Sequence, residues 1–149
     1  MKNLFEAAAY QEILTRLDSL TPNTPRKWGK MNVAQMLAHC AVGLDFPTSG
    51  RKEKRGLMSY ILGPMFKKSI LSDKEYKQGL PTGPQFLITD ARQFEEEMRK
   101  VKEVLIHFHQ LGRGGINPNP HPFFGPLTPD EWGISQYKHF DHHLKQFGC

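Results

Sequence analysis

The stretch TPDEWGISQYKHFDHHLKQF, from Thr128 to Phe147, constrains the fold more than any other part of the chain. Thr128 stands three residues before Glu131, the capping-box spacing at which each side chain bonds the other's backbone amide. Pro129 falls at the first helical position, where its missing N–H is not needed. On a helix turning about 100° per residue, Trp132, Gln136, His139 and His143 share a narrow sector, with Phe140 and Phe147 beside it. Lys138, Asp141 and Lys145 point the opposite way, towards water. Two imidazoles one turn apart thus lie on the buried face, where an unpaired polar group is costly. A metal ion held at about 2.0–2.1 Å by each ring would satisfy both.

Three earlier segments carry the same kind of opening signal: Asn3 before Glu6, Asn32 before Gln35 and Asp90 before Gln93. The first helix is expected from Leu4 to Leu20, with Phe5, Ala9, Ile13, Leu17 and Leu20 as its stripe and Thr21-Pro22 as its stop. The second runs from Val33 to Phe46 and is ended by Pro47. It is apolar around much of its circumference, the mark of a central helix. The third spans Ala91 to Leu111, its apolar face stepping through Ala91, Phe94, Met98, Val101, Leu105 and Phe108, with Gly112 as its C-cap. Residues 47–89 make a connection far longer than a helical protein needs between neighbours. Within it LMSYILGPMFKKSIL forms one helix, or two broken at Gly63-Pro64, before an extended stretch ending in PTGPQFLIT. A long crossover lets consecutive helices run parallel, so the second and third are expected to do so in an all-α four-helix bundle.

The 149 residues suit a single domain, residues 1–149. No apolar run is long enough to span a membrane, and MKNLFEAAAYQEIL reads as helix rather than signal peptide. Only two cysteines occur, Cys40 and Cys149, which is no disulfide framework and points to a reducing cytoplasm. Cys40 is expected to fill core space. The net charge of +5 is confined to residues 51–77, where eight lysines and arginines face Glu53, Asp73 and Glu75. With no stacking aromatics at regular spacing, that segment reads as a solvated loop and helix face, not a nucleic-acid site.

Of seven histidines, His39 joins the 139/143 pair as a candidate ligand. It lies inside the central helix with Met36, Gly43 and Phe46 on its side, where it needs a partner: the ion, or a polar side chain such as Gln136. Three imidazoles on one side of a metal leave its other positions open, as catalytic sites require. His142 lies about 100° around from His143 and suits a hydrogen bond or the surface. His107 and His109 face different directions, and His121, in HPFFGP, reads as a turn residue. Phe140 follows His139, so HExxH is absent, and Gln136 stands where a di-iron Glu-x-x-His pair wants its carboxylate. No P-loop or GxGxxG occurs. Glu103 is the nearest idea for a general base, though a surface role suits it better.

A helix-two histidine in NVAQMLAHC, a long crossover and HxxxH in the last helix together resemble the DinB/YfiT-like superfamily of metal-dependent bacterial proteins. The tail HPFFGPLTPDEWGISQYKHFDHHLKQFG is similar in particular to a subfamily of unknown function whose members end in KHxDHHLxQF segments. The resemblance implies a divalent ion (zinc, nickel or iron) held by three histidines, which match His39, His139 and His143. Some relatives look like transferases or isomerases in which the metal activates a low-molecular-weight thiol such as bacillithiol or mycothiol; others resemble hydrolases. The resemblance also suggests homodimers. The expected function is that of a divalent-metal-dependent enzyme acting on a small-molecule substrate. Its alternatives are a non-catalytic metal- or ligand-binding bundle and a structural bundle whose basic crossover meets an anionic partner.

Overall fold

The computed structural model describes residues 1–80 and 82–149. Among them are five α-helices: α1 (Ala7–Asp18), α2 (Val33–Ser49), α3 (Leu57–Ile70), α4 (Phe94–Gly115) and α5 (Pro129–Gln146). A single 3₁₀ turn, Pro84–Phe86, precedes α4. The described residues form no strand, only one antiparallel bridge between His121 and Gly125. None of these helices is long and apolar enough to cross a membrane.

Two of the four expected caps form. Asn32 and Gln35 close a capping box at α2, with bonds of 2.9 and 3.0 Å, and Thr128 and Glu131 close another at α5, with bonds of 3.2 and 2.7 Å. The other two do not. Asn3 turns its side chain to the Phe5 amide and to Asp130 of α5, so α1 begins later, after Glu6. Asp90 pairs with Arg92 instead, and α4 starts only after Gln93, leaving Ala91 exposed and outside the helix. In both places a charge or amide partner outside the helix competes successfully with capping.

Pro47 does not end α2. It cannot donate to the Gly43 carbonyl, but the helix continues to Ser49 and stops at Gly50, whose φ of 66° is left-handed. Pro64 likewise lies inside a continuous α3. Gly112 breaks the α4 geometry with φ 59°, as a C-cap would, yet helical turns resume to Gly115. The extended stretch expected before α4 is short and interrupted by the 3₁₀ turn; its Pro81 lies outside the described residues.

Helix directions follow from contacts at both ends. Near the N-termini of α2 and α4, Gln35 Nε2 donates to the Asp90 carbonyl; at the other end, the Asn117 amide, just past α4, donates to Pro47 O in the last turn of α2. The two helices therefore run parallel, as the length of the crossover anticipates. Leu4 meets Gly133 and Arg16 meets Asp141, so α1 and α5 are parallel to each other. Phe46 packs on Trp132 while His39 packs on His143, so α5 runs antiparallel to α2. The core between these four helices is built from Ile13, Leu17, Met36, Leu37, Leu44, Val101, Leu105, Phe108, Phe140 and Leu144, all fully buried. Cys40 joins it at 0% exposure, and burial pushes its thiol pKa well up.

Candidate metal centre

His39 points from α2 into the space between α2 and α5, and His139 and His143 point back at it from successive turns of α5. Their ring centroids lie 4.9 Å (39–139), 4.6 Å (39–143) and 4.8 Å (139–143) apart, nearly an equilateral triangle. One ring nitrogen of each falls within 4.8 Å of the others, the one such group of possible ligand side chains among the described residues. His39 and His143 are buried, at 6% and 9% exposure. His139 is half-buried as a residue, but its ring is enclosed by the other two imidazoles.

The hydrogen bonds around the triangle decide which nitrogens face inward. His39 Nδ1 lies 2.8 Å from the Phe86 carbonyl. A carbonyl only accepts, so Nδ1 carries the proton and Nε2 the lone pair. His143 Nδ1 lies 2.9 Å from Gln146 Oε1, and Gln146 Nε2 donates at 2.8 Å to the Trp28 carbonyl. That second bond fixes the amide's orientation, so His143 also holds its proton on Nδ1. Both rings are thereby set with Nε2 as the electron-pair donor, the arrangement that outer partners impose on metal-ligating histidines. His39 Nε2 is 2.9 Å from His139 Nε2, a separation that two ligands at about 2.0–2.1 Å from one ion can adopt.

Electrostatics favour the neutral, ligating forms. Burial lowers the pKa of His39, against a smaller opposing effect of its bond to Phe86. Burial, followed by the neighbouring His143, His39 and His142, holds His139 well below the ordinary range. Burial and the nearby His39 push His143 down to about 3. With their pKa values lowered, the rings favour the uncharged form, in which each keeps one nitrogen lone pair to offer.

A glycine makes the approach feasible. A Cβ on Gly43 would come within 3.0 Å of His139 Cε1 and 3.1 Å of its Nδ1. A step around α5 from His143, His142 packs on Trp28 and Tyr76 and stands 5.1 Å from His143, ring to ring. It lines a cleft with Trp28, Tyr76, Lys138 and Asp141, between the crossover and α5. Lys138, Asp141 and Lys145 therefore do not simply face water. Asp141 is bound by Arg16 and Lys145 at 2.8 Å each, and Lys138 reaches the Ser72 carbonyl.

The remaining expectations divide. His39 does not bond Gln136; the Phe86 carbonyl takes that place. His107 is exposed, while His109 bonds the Leu4 carbonyl at 2.9 Å and stacks on Tyr10. His121 is a turn residue but a buried one: its Nδ1 accepts from the Phe123 and Phe124 amides, and burial, with Arg55 nearby, lowers its pKa to about 4. Glu103 is exposed and pairs with Arg99 at 2.8 Å. The outer partners Phe86, Gln146 and Trp28 went unnoticed in the sequence. Gln146 had a signal, its position three residues after His143; Phe86 and Trp28 act through carbonyls, which any residue could supply.

An all-helical protein with three histidines converging from two helices is thus defined by fold and site. The chain belongs to the family described as Protein of unknown function (DUF1569), whose model matches residues 2–148. No curated protein and no solved structure matches it.

Proposed function

We propose that this protein is a divalent-metal-dependent enzyme with His39, His139 and His143 as its metal ligands, in a DinB/YfiT-like four-helix bundle formed by the single domain 1–149. The observation that carries the reading is the pair of locked imidazoles. The Phe86 carbonyl and Gln146 hold the Nδ1 protons of His39 and His143, so that two Nε2 lone pairs converge in a buried site. A bound zinc, nickel or iron ion would supply Lewis acidity, lowering the pKa of a water or thiol at its open positions. The chain's own contribution is to keep three neutral imidazoles fixed and largely dry. The cleft lined by Trp28, Tyr76 and His142 is the candidate seat for a small-molecule substrate, since His142 links it to His143. Transfer from a low-molecular-weight thiol and hydrolysis are the two chemistries that belong to this reading, together with a homodimer and a cytoplasmic setting.

Metal analysis of protein purified without an affinity tag tests the site. A single transition-metal ion per chain is expected, and no retained metal even after reconstitution would sink it. Turnover is tested with a panel of thiol donors and electrophiles beside simple esters and amides. A second reading, a non-catalytic metal- or ligand-binding protein, is favoured by the position of Glu103, which is exposed and paired away from the site. A metal-loaded protein inert across the panel would select it.

A further inference from the structure

We infer that Gln136 orients His139 for coordination, its side-chain carbonyl accepting from His139 Nδ1–H. It would do for His139 what Gln146 does for His143 and the Phe86 carbonyl does for His39. The inference rests on the three histidines being a metal site.

An imidazole that coordinates through Nε2 presents Nδ1–H on its far side, and a buried N–H requires an acceptor. For two of the three rings that acceptor is in place, at 2.8 Å and 2.9 Å. For His139 none is bonded among the described residues. One turn earlier on α5 sits Gln136, 7% exposed, whose Oε1 is enclosed without a hydrogen-bond partner. A buried carbonyl without a donor carries an uncompensated desolvation cost, so its retention beside an imidazole calls for a reason. The two groups lie against the same point of α2. A Cβ on Gly43 would meet His139 Nδ1 at 3.1 Å and Gln136 Oε1 at 3.6 Å. The inference takes a rotation about the Gln136 side chain to join them, in the room that the missing Cβ of Gly43 leaves.

Proton placement explains when the bond forms. His39 keeps its proton on Nδ1, so the 2.9 Å contact between the Nε2 atoms of His39 and His139 needs the His139 proton on Nε2. When that Nε2 coordinates instead, the same proton resides on Nδ1, and Gln136 Oε1 becomes its acceptor. The imidazole stays neutral throughout; only the tautomer changes. Gln136 is thus a positioning residue, acting through His139.

The test is zinc affinity of the full chain, measured by competition with a chromophoric chelator, for wild type, Gln136→Leu and Gln136→Glu. Leucine fills similar volume without an acceptor and should weaken binding by about 10–100-fold. Glutamate, a stronger acceptor, should bind at least as tightly as wild type. Zinc-loaded wild type should show His139 protonated at Nδ1 by imidazole ¹⁵N NMR. Wild-type affinity in Gln136→Leu overturns the inference, as does equal loss in both variants, which would mark Gln136 as packing only. Failure of the wild type to bind zinc, cobalt or nickel is a different result and overturns the metal reading itself.

Discussion

Helices α2 and α3 are both rich in apolar residues, both carry an internal proline, and have opposite fates. In α2, Met36, Leu37, Cys40 and Leu44 are fully buried, and the one imidazole among them is bonded on both nitrogens. In α3, Leu57, Met58, Tyr60, Ile61 and Met65 are all more than half exposed, Leu57 at 79%. Only a narrow strip of α3 is covered. Gly63 lies against the Phe123 carbonyl, where a Cβ would come within 2.3 Å, Phe66 meets the Phe123 ring, and Lys67 reaches Pro126 and Glu131. Apolar composition therefore does not determine burial. What differs is the cover available: α2 has α4 and α5 on its flanks, whereas α3 has the loop before α5 and that helix's first turn. A helix enclosed on several sides has its side chains fixed by its neighbours; one covered along a single strip does not.

The sharpest way to break this contrast is at the imidazoles. His39→Ala or His143→Ala should abolish metal binding, measured by metal content after reconstitution, while helical circular dichroism stays largely intact. Leu57→Ala should leave metal content unchanged. Next comes stability. Leu44→Ala in α2 should cost about 2–5 kcal/mol in urea unfolding, because the side chain is fully enclosed and leaves a cavity. Leu57→Ala, at 79% exposure in α3, should stay within about 0.5 kcal/mol.

The loop under α3 gives a pH test. His121 titrates at about 4 in the fold, below the 6.5 of the free side chain. Between those values the unfolded chain binds a proton that the folded chain does not. Its contribution is therefore full above the upper value and lost as pH falls through the lower one, at most about 3 kcal/mol in all. His121→Asn, which keeps an acceptor for the Phe123 and Phe124 amides, should flatten the stability–pH profile of the wild type over that window. An unchanged slope would place the acid sensitivity elsewhere. The smallest expected effect separates folding from function within α2. Gly43→Ala should raise helix stability by up to about 1 kcal/mol. Its Cβ, 3.0 Å from the His139 ring, should weaken zinc binding by about 10-fold. Unaltered affinity would mean that the ring has room to retreat.

Much of this was legible from periodicity. The stripe Ile13, Leu17 of α1 and Val101, Leu105, Phe108 of α4 is buried as spacing requires, and His139 and His143 of α5 face inward with Trp132 and Gln136. Capping was legible only where nothing competed: Asn32 and Thr128 have no stronger partner, whereas Asn3 and Asp90 do. Glu97, three residues after Phe94 and four before Val101, lies along the buried stripe of α4; it is 3% exposed and stands 3.3 Å from Arg92, just ahead of the helix.

The sequence by itself determined which segments are helices and which face of α5 carries His139 and His143, because both depend on residues three and four apart. The tertiary structure decided the rest. It brought His39 to the pair across a hundred residues, and chose its ring proton through a carbonyl of Phe86. It also left Gln136 Oε1 beside His139 without a partner. Backbone carbonyls have no sequence signature, and a hydrogen bond between distant elements exists only once their packing sets the distance.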